Sequence, residues 1–192
     1  SSTTPMHSGD GPLFPYNLEK AKELMAASKY PDGFSTSILT LAGNQDETGI
    51  ATALQQMWAA IGVKLELKQV DNATRTDQYR KGIFTMRVAA WTNDIADASQ
   101  ITSYFAYSPT IDALHSGWKN AEVDALFEAS QSERDEQKRQ EQFARIQEIF
   151  NAEGPTIPLY ETPYPVALSN SVKGFVQIPL GNNIFRSAHI EK

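Results

Sequence analysis

The sequence predicts an α/β fold, a sheet flanked by helices, and three observations predict it. Residues 38–42 and 63–67 read as strands, with a helix of one apolar stripe between them. Strand, helix and strand at this spacing define a right-handed parallel βαβ unit. A short helix and a further apolar strand over residues 84–91 follow, so helices and strands alternate as they do in α/β lobes.

Each element has a local reason. Residues 1–15 are rich in Ser, Thr, Pro and Gly without periodicity and read as a linker or interlobe strap, with His7 as a solvated loop residue. Asn17 caps a helix that runs to about Ser28, with Leu18, Ala21, Leu24 and Met25 on one side. Tyr30-Pro31-Asp32-Gly33 has the composition of a turn. Asp46 or Glu47 opens the helix that carries Ile50, Leu54, Met57, Trp58 and Ile61, and Gly62 ends it in a left-handed conformation. Trp58 shares the stripe of Leu54 and Ile61 and reads as core. Val63, Leu65 and Leu67 alternate with charged residues, the mark of a half-exposed strand. Residues 76–81 form a short helix ended by Gly82.

The rest of the chain is organised around residues 84–105, FTMRVAAWTNDIADASQITSYF. Phe84, Met86 and Val88 alternate with Thr85 and Arg87, and Ala89, Ala90 and Trp91 follow without a polar break. Such a strand is expected to be buried on both faces. It stops at Thr92-Asn93-Asp94, and ligands of open α/β sheets bind beyond the carboxyl ends of strands. Asp94 is therefore read either as a ligand contact or as a helix cap, and Asp97 fits the capping role better, being nearer the stripe of Ile101, Tyr104 and Phe105.

Residues 108–118 read as an irregular loop, in which Trp118 either plugs a gap in the fold or lines a cleft. Asn120 caps a helix with Val123, Leu126 and Phe127 on its apolar face. Residues 133–151 form the longest helix, with a polar first half; its charges, among them Asp135 with Arg139 and Glu141 with Arg145, read as pairs on a solvated face. Gly154-Pro155 stops it. Residues 157–160 read as a short strand, residues 166–168 and 175–178 as edge strands, and residues 181–192 as a weakly tied C-terminal segment.

WTNDIADASQI, preceded by FTMRVAA, resembles the W-x-x-D segment of bacterial extracellular solute-binding proteins of the peptide/oligopeptide/nickel class, which feed ATP-driven (ABC) importers. YNLEKAKELM, NAEVDALFEAS, KRQEQFARIQEIF, GPTIPLY and VALSNSVKGF extend the resemblance, in the family's order, over residues 16–176. It implies a single lobe of a periplasmic-binding-protein-like fold over residues 16–180, a mixed sheet flanked by helices. Family members have two lobes and the first precedes these motifs, so residues 181–192 would lead back toward a first lobe absent from this chain. The implied partners are a small peptide or other amine-bearing ligand, the importer's permease subunits and that first lobe. The implied location is periplasmic or extracellular, at the membrane through the importer.

In peptide-binding relatives the matching aspartate holds the ligand's free α-amino group. Carried to this sequence, Asp94 would accept the ammonium, Trp91 would pack beside the ligand, and Thr92 and Asn93 would offer polar contacts. Two features depart from the pattern or leave it open. Ile95-Ala96-Asp97-Ala98 stands where many relatives have an aromatic residue and a proline, and Trp91 and Trp118 could instead stack on a sugar. An oligosaccharide- or opine-binding receptor is the alternative within the family.

Composition limits the other classes. Apolar residues at 41% and charged residues at 21% suit a globular chain long enough for a sizeable core. A net charge of −6 without a basic cluster disfavours a nucleic-acid partner. No apolar run approaches a membrane span. The absence of cysteine removes disulfides and thiolate chemistry, and His7, His115 and His189 lack metal-ligand spacing. No catalytic constellation, cofactor motif or metal site is evident; a hydrolase is the reading from another class, with His115 and Ser116 as its nearest approach.

Overall fold

A computed structural model describes residues 4–9, 14–111, 115–178 and 181–191. The chain is α/β, with helices, a parallel sheet and two antiparallel ribbons. It divides into two compact units, Pro12–Trp91 and a second made of Ser1–Gly11 with Thr92–Lys192.

The first unit contains α1 (Leu18–Ala26), β1 (Ser35–Leu41), α2 (Gln45–Ala59), β2 (Lys64–Val70), α3 (Asn72–Arg80) and β3 (Met86–Arg87). β1 is central in the order β2-β1-β3 and both pairings are parallel, Ser35 opposite Lys64 and Ile38 opposite Met86. The expected βαβ unit is therefore present. Its core gathers Ile38, Ala51 and Leu65, with Leu54, Trp58, Leu67, Met86 and Val88 packed around them. Trp58 lies on that core, as its spacing predicts. Gly33 and Gly62 both have positive φ and meet backbone to backbone where β1 and β2 begin; a Cβ on Gly33 would sit 2.0 Å from the Gly62 carbonyl oxygen. Any side chain there would separate the strands' entry points.

Helix starts follow cap chemistry. Asn17 accepts from the Lys20 N–H. Asn44, not Asp46 or Glu47, caps α2, and the two acids occupy its first turn. Asp71 caps α3, which begins four residues before the expected start, and Gly82 follows at φ +67°.

The strand expected over residues 84–91 is cut to Met86–Arg87, and its burial on both faces is overturned. Ala89, Ala90 and Trp91 are exposed. β3 is an edge strand, and alanine has low strand propensity and little surface to bury, so pairing lapses after Arg87.

The second unit holds α4 (Ala98–Phe105), α5 (Ser108–Ile111), α6 (Ala121–Ser130), α7 (Glu136–Glu153) and the ribbon strands β4 (Val172–Lys173), β5 (Val176–Gln177), β6 (Asn183–Ile184) and β7 (His189–Ile190). Its core is helical: Ala98, Ala106, Val123, Phe127, Phe143, Ile146 and Ile149 are buried together. Asn120 and Asp135 cap α6 and α7. The start of the expected loop 108–118 is instead α5, ending on the fully buried Ile111; residues 112–114 lie outside the described residues.

Residues 157–160 and 166–168 join no sheet, contrary to expectation. Pro155, Pro158, Pro163 and Pro165 each lack the N–H a ladder needs. The C-terminal segment is tied down instead: β4 pairs antiparallel with β7, Val172 opposite Ile190, and β5 with β6, Val176 opposite Ile184.

Candidate functional site

Trp91 closes the first unit and is 41% exposed. Thr92, Asn93 and Asp94 open the second: Thr92 and Asp94 are exposed and Asn93 is half-buried. The Thr92 hydroxyl hydrogen-bonds the Tyr164 hydroxyl. The ring of Tyr164 lies so close to Gly181 that a Cβ there would come within 2.8 Å of it, and Gly181 has φ +81°. Three distant stretches therefore converge beside Thr92.

Asp94 is held by α4. The side-chain oxygen of Gln100 accepts from the Asp94 N–H at 2.7 Å and the Ile95 N–H at 3.0 Å. The Gln100 amide nitrogen donates to Asp94 Oδ2 at 3.0 Å. The carboxylate is thus exposed at the start of the second unit rather than turned into its core. The capping role belongs to Asp97, which accepts from the Ser99 N–H at 2.8 Å.

Asp97 has a second role that its sequence position conceals. Arg139 of α7 binds it bidentately, at 2.8 and 2.9 Å, and donates its third contact to the Ser130 carbonyl. The guanidinium also lies 5.0 Å from the Phe143 ring centroid. The expected i,i+4 pairs on a solvated face are therefore corrected: Asp135 caps the helix, Arg139 pairs across to α4, and Arg145 bridges Glu122 and Glu148. A planar fork prefers a bidentate carboxylate to a single neighbour on its own helix.

The Arg139 hydrogen bond is the main cause that holds the Asp97 carboxyl at about 2, below its ordinary 3.8. A folded-state value below the unfolded one stabilises fully above the ordinary value and is lost as pH falls toward 2. Between about pH 4 and pH 2 the chain should lose about 1–2 kcal/mol more stability than Asp97→Asn, after discounting for solvent at this part-exposed pair. Urea titrations across that range measure it; parallel acid slopes would show that the pair contributes nothing.

Trp118 is half-buried and meets Phe150 edge-on, ring centroids 5.5 Å apart, at the margin of the helical core. The Phe150 contact fits the plugging reading. His115 is exposed, at φ +53°. Among the described residues no group of three or more His, Cys, Asp or Glu side chains could hold a metal, and no helix is long and apolar enough to cross a membrane. Sequence reasoning missed Gln100, Arg139 and Tyr164. None of the three carried a signal in its local sequence pattern.

The chain is an α/β lobe, and in its second unit Asp94 is exposed and hydrogen-bonded by Gln100. Residues 1–112 match the model for bacterial extracellular solute-binding proteins, family 5 (middle), and the chain belongs to that family. It is 28% identical to heme-binding protein A of Haemophilus influenzae over 183 residues, covering 93% of this chain and 34% of that protein. It is 28% identical to the oligopeptide-binding protein OppA of Bacillus subtilis over 177 residues, covering 91% of this chain and 32% of that protein. Its fold is similar to that of the ABC transporter-associated periplasmic binding protein DppA from Helicobacter pylori, solved with the peptide STSA, with a TM-score of 0.80 at 24% identity, over 100% of this chain and 38% of that one. The chain thus spans about a third of the length of the curated relatives it matches.

Proposed function

We propose that the chain is one lobe of the substrate-binding component of an ABC-type importer acting outside the cytoplasmic membrane, and that the receptor binds a peptide or other amine-bearing small ligand between this lobe and a first one. The observation that carries the reading is Asp94, exposed at the start of its unit and anchored by two hydrogen bonds to Gln100, which also accepts from the Ile95 N–H. A carboxylate accepts an ammonium through charged hydrogen bonds worth about 1.5–3 kcal/mol each. Trp91 would pack beside the ligand, Thr92 and Asn93 would supply polar contacts, and Trp118 would line the cleft with the face it does not pack on Phe150. The permease subunits of the importer are the partners that this role requires.

In the two-lobed receptor Asp94→Asn should weaken a free-amine peptide by about 2 kcal/mol, about thirtyfold. Calorimetry settles it: unchanged affinity in the variant removes Asp94 from the pocket. A thermal-shift screen of the receptor with peptides, opines, oligosaccharides and heme identifies the ligand class, because binding raises apparent stability by mass action. Heme is the second reading, favoured by the name of the Haemophilus influenzae relative. A shift with heme and none with peptides would establish it.

A further inference from the structure

We propose that Gln100 is a positioning residue that aims the Asp94 carboxylate at an incoming ammonium, an inference that rests on the amine-binding reading above. Two backbone N–H groups, those of Asp94 and Ile95, converge on the Gln100 side-chain oxygen. Their convergence fixes which way the amide faces, since a flipped NH2 would meet two donors. The amide nitrogen must then face Asp94, and it donates to Oδ2 at 3.0 Å. The two backbone bonds alone would close the turn. The third adds nothing to the turn but holds one carboxylate oxygen, which directs Oδ1 to a guest.

The support behind Gln100 reaches back to the helical core. It lies in the first turn of α4, whose cap Asp97 is gripped by Arg139 from α7, and its own carbonyl accepts from the Ser103 hydroxyl at 2.7 Å. Arg139, Asp97, α4, Gln100 and Asp94 form a continuous chain of contacts from the helical core to the exposed carboxylate. A glutamine has both the length and the paired acceptor and donor for this place. A glutamate keeps the acceptor but sets a second negative charge against Asp94.

The test uses calorimetry on the two-lobed receptor with a free-amine peptide from the screen above and its N-acetylated form. Gln100→Ala should weaken the free-amine peptide about tenfold and leave the acetylated form unchanged. The double variant Asp94→Asn/Gln100→Ala should bind no more weakly than Asp94→Asn alone, because Gln100 acts through Asp94. Gln100→Glu preserves both backbone bonds and so keeps the loop closed. It should bind the free-amine peptide more weakly, because a second negative charge faces Asp94 and the amide donor is gone. A merely structural role would weaken the acetylated form as well. If Asp94→Asn weakens the peptide while Gln100→Ala stays within about twofold of wild type, or if the single losses simply add, the inference about Gln100 is overturned and the pocket reading stands. If no free-amine peptide binds, or Asp94→Asn binds as wild type does, the pocket reading falls and this inference with it.

Discussion

Phe143→Ala should lower the free energy of unfolding by about 3–5 kcal/mol, the range for emptying a buried aromatic site. Phe143 is 3% exposed and sits among Val123, Phe127, Ile146 and Ile149 in the helical core. Its ring also lies beneath the Arg139 guanidinium, at 5.0 Å. The substitution therefore opens a cavity and removes the surface on which the guanidinium rests. Phe143→Leu, which keeps most of the volume, should cost well under half as much. Urea denaturation of both variants measures the difference, and a loss below about 1 kcal/mol for the alanine variant would mean that the site collapses around the gap.

Arg139→Met should cost about 2–3 kcal/mol, short of the figure for a fully buried pair because Arg139 and Asp97 keep 19% and 33% of their side-chain surface. Methionine restores much of the apolar stem. It leaves Asp97 without its bidentate partner and the Ser130 carbonyl without the Nε donor. The helix cap at Ser99 should survive, since Asp97 still accepts that N–H. Chemical denaturation gives the magnitude. Asp97→Asn combined with Arg139→Met should destabilise by less than the sum of the two single changes, and strict additivity would show that the residues do not act as a pair.

The βαβ unit was legible because each part repeats a simple signal: alternation in Val63, Leu65 and Leu67, a helical stripe through Leu54, Trp58 and Ile61, and a glycine where φ turns positive. Caps were legible at Asn17, Asp97 and Asn120, where one short polar side chain stands just before an apolar stripe, but not at Asn44 or Asp135, where further acids follow closely. The misread regions share a cause. Whether residues 84–91 pair beyond Arg87, or residues 157–160 pair at all, depends on which neighbour lies alongside, and periodicity carries no information about neighbours. Long-range ion pairs are hidden in the same way. Arg139 and Asp97 are 42 positions apart, while the nearer Asp135 made a plausible but incorrect partner. Asp94 was visible as a candidate from the residue pattern and the family resemblance. The glutamine that hydrogen-bonds it was not, because a polar residue on a helix surface looks the same whether it faces water or a loop.

The stretch from Pro155 to Leu168 has a practical consequence. It joins none of the three sheets, and Ile157, Leu159, Tyr160, Tyr164, Val166 and Leu168 are all exposed along it. Extended chain that is both oily and unladdered is adhesive. Concentrated samples of the chain by itself will tend to clump through this ribbon of residues, and the prolines that interrupt it are what keep the clumps from ordering into fibrils.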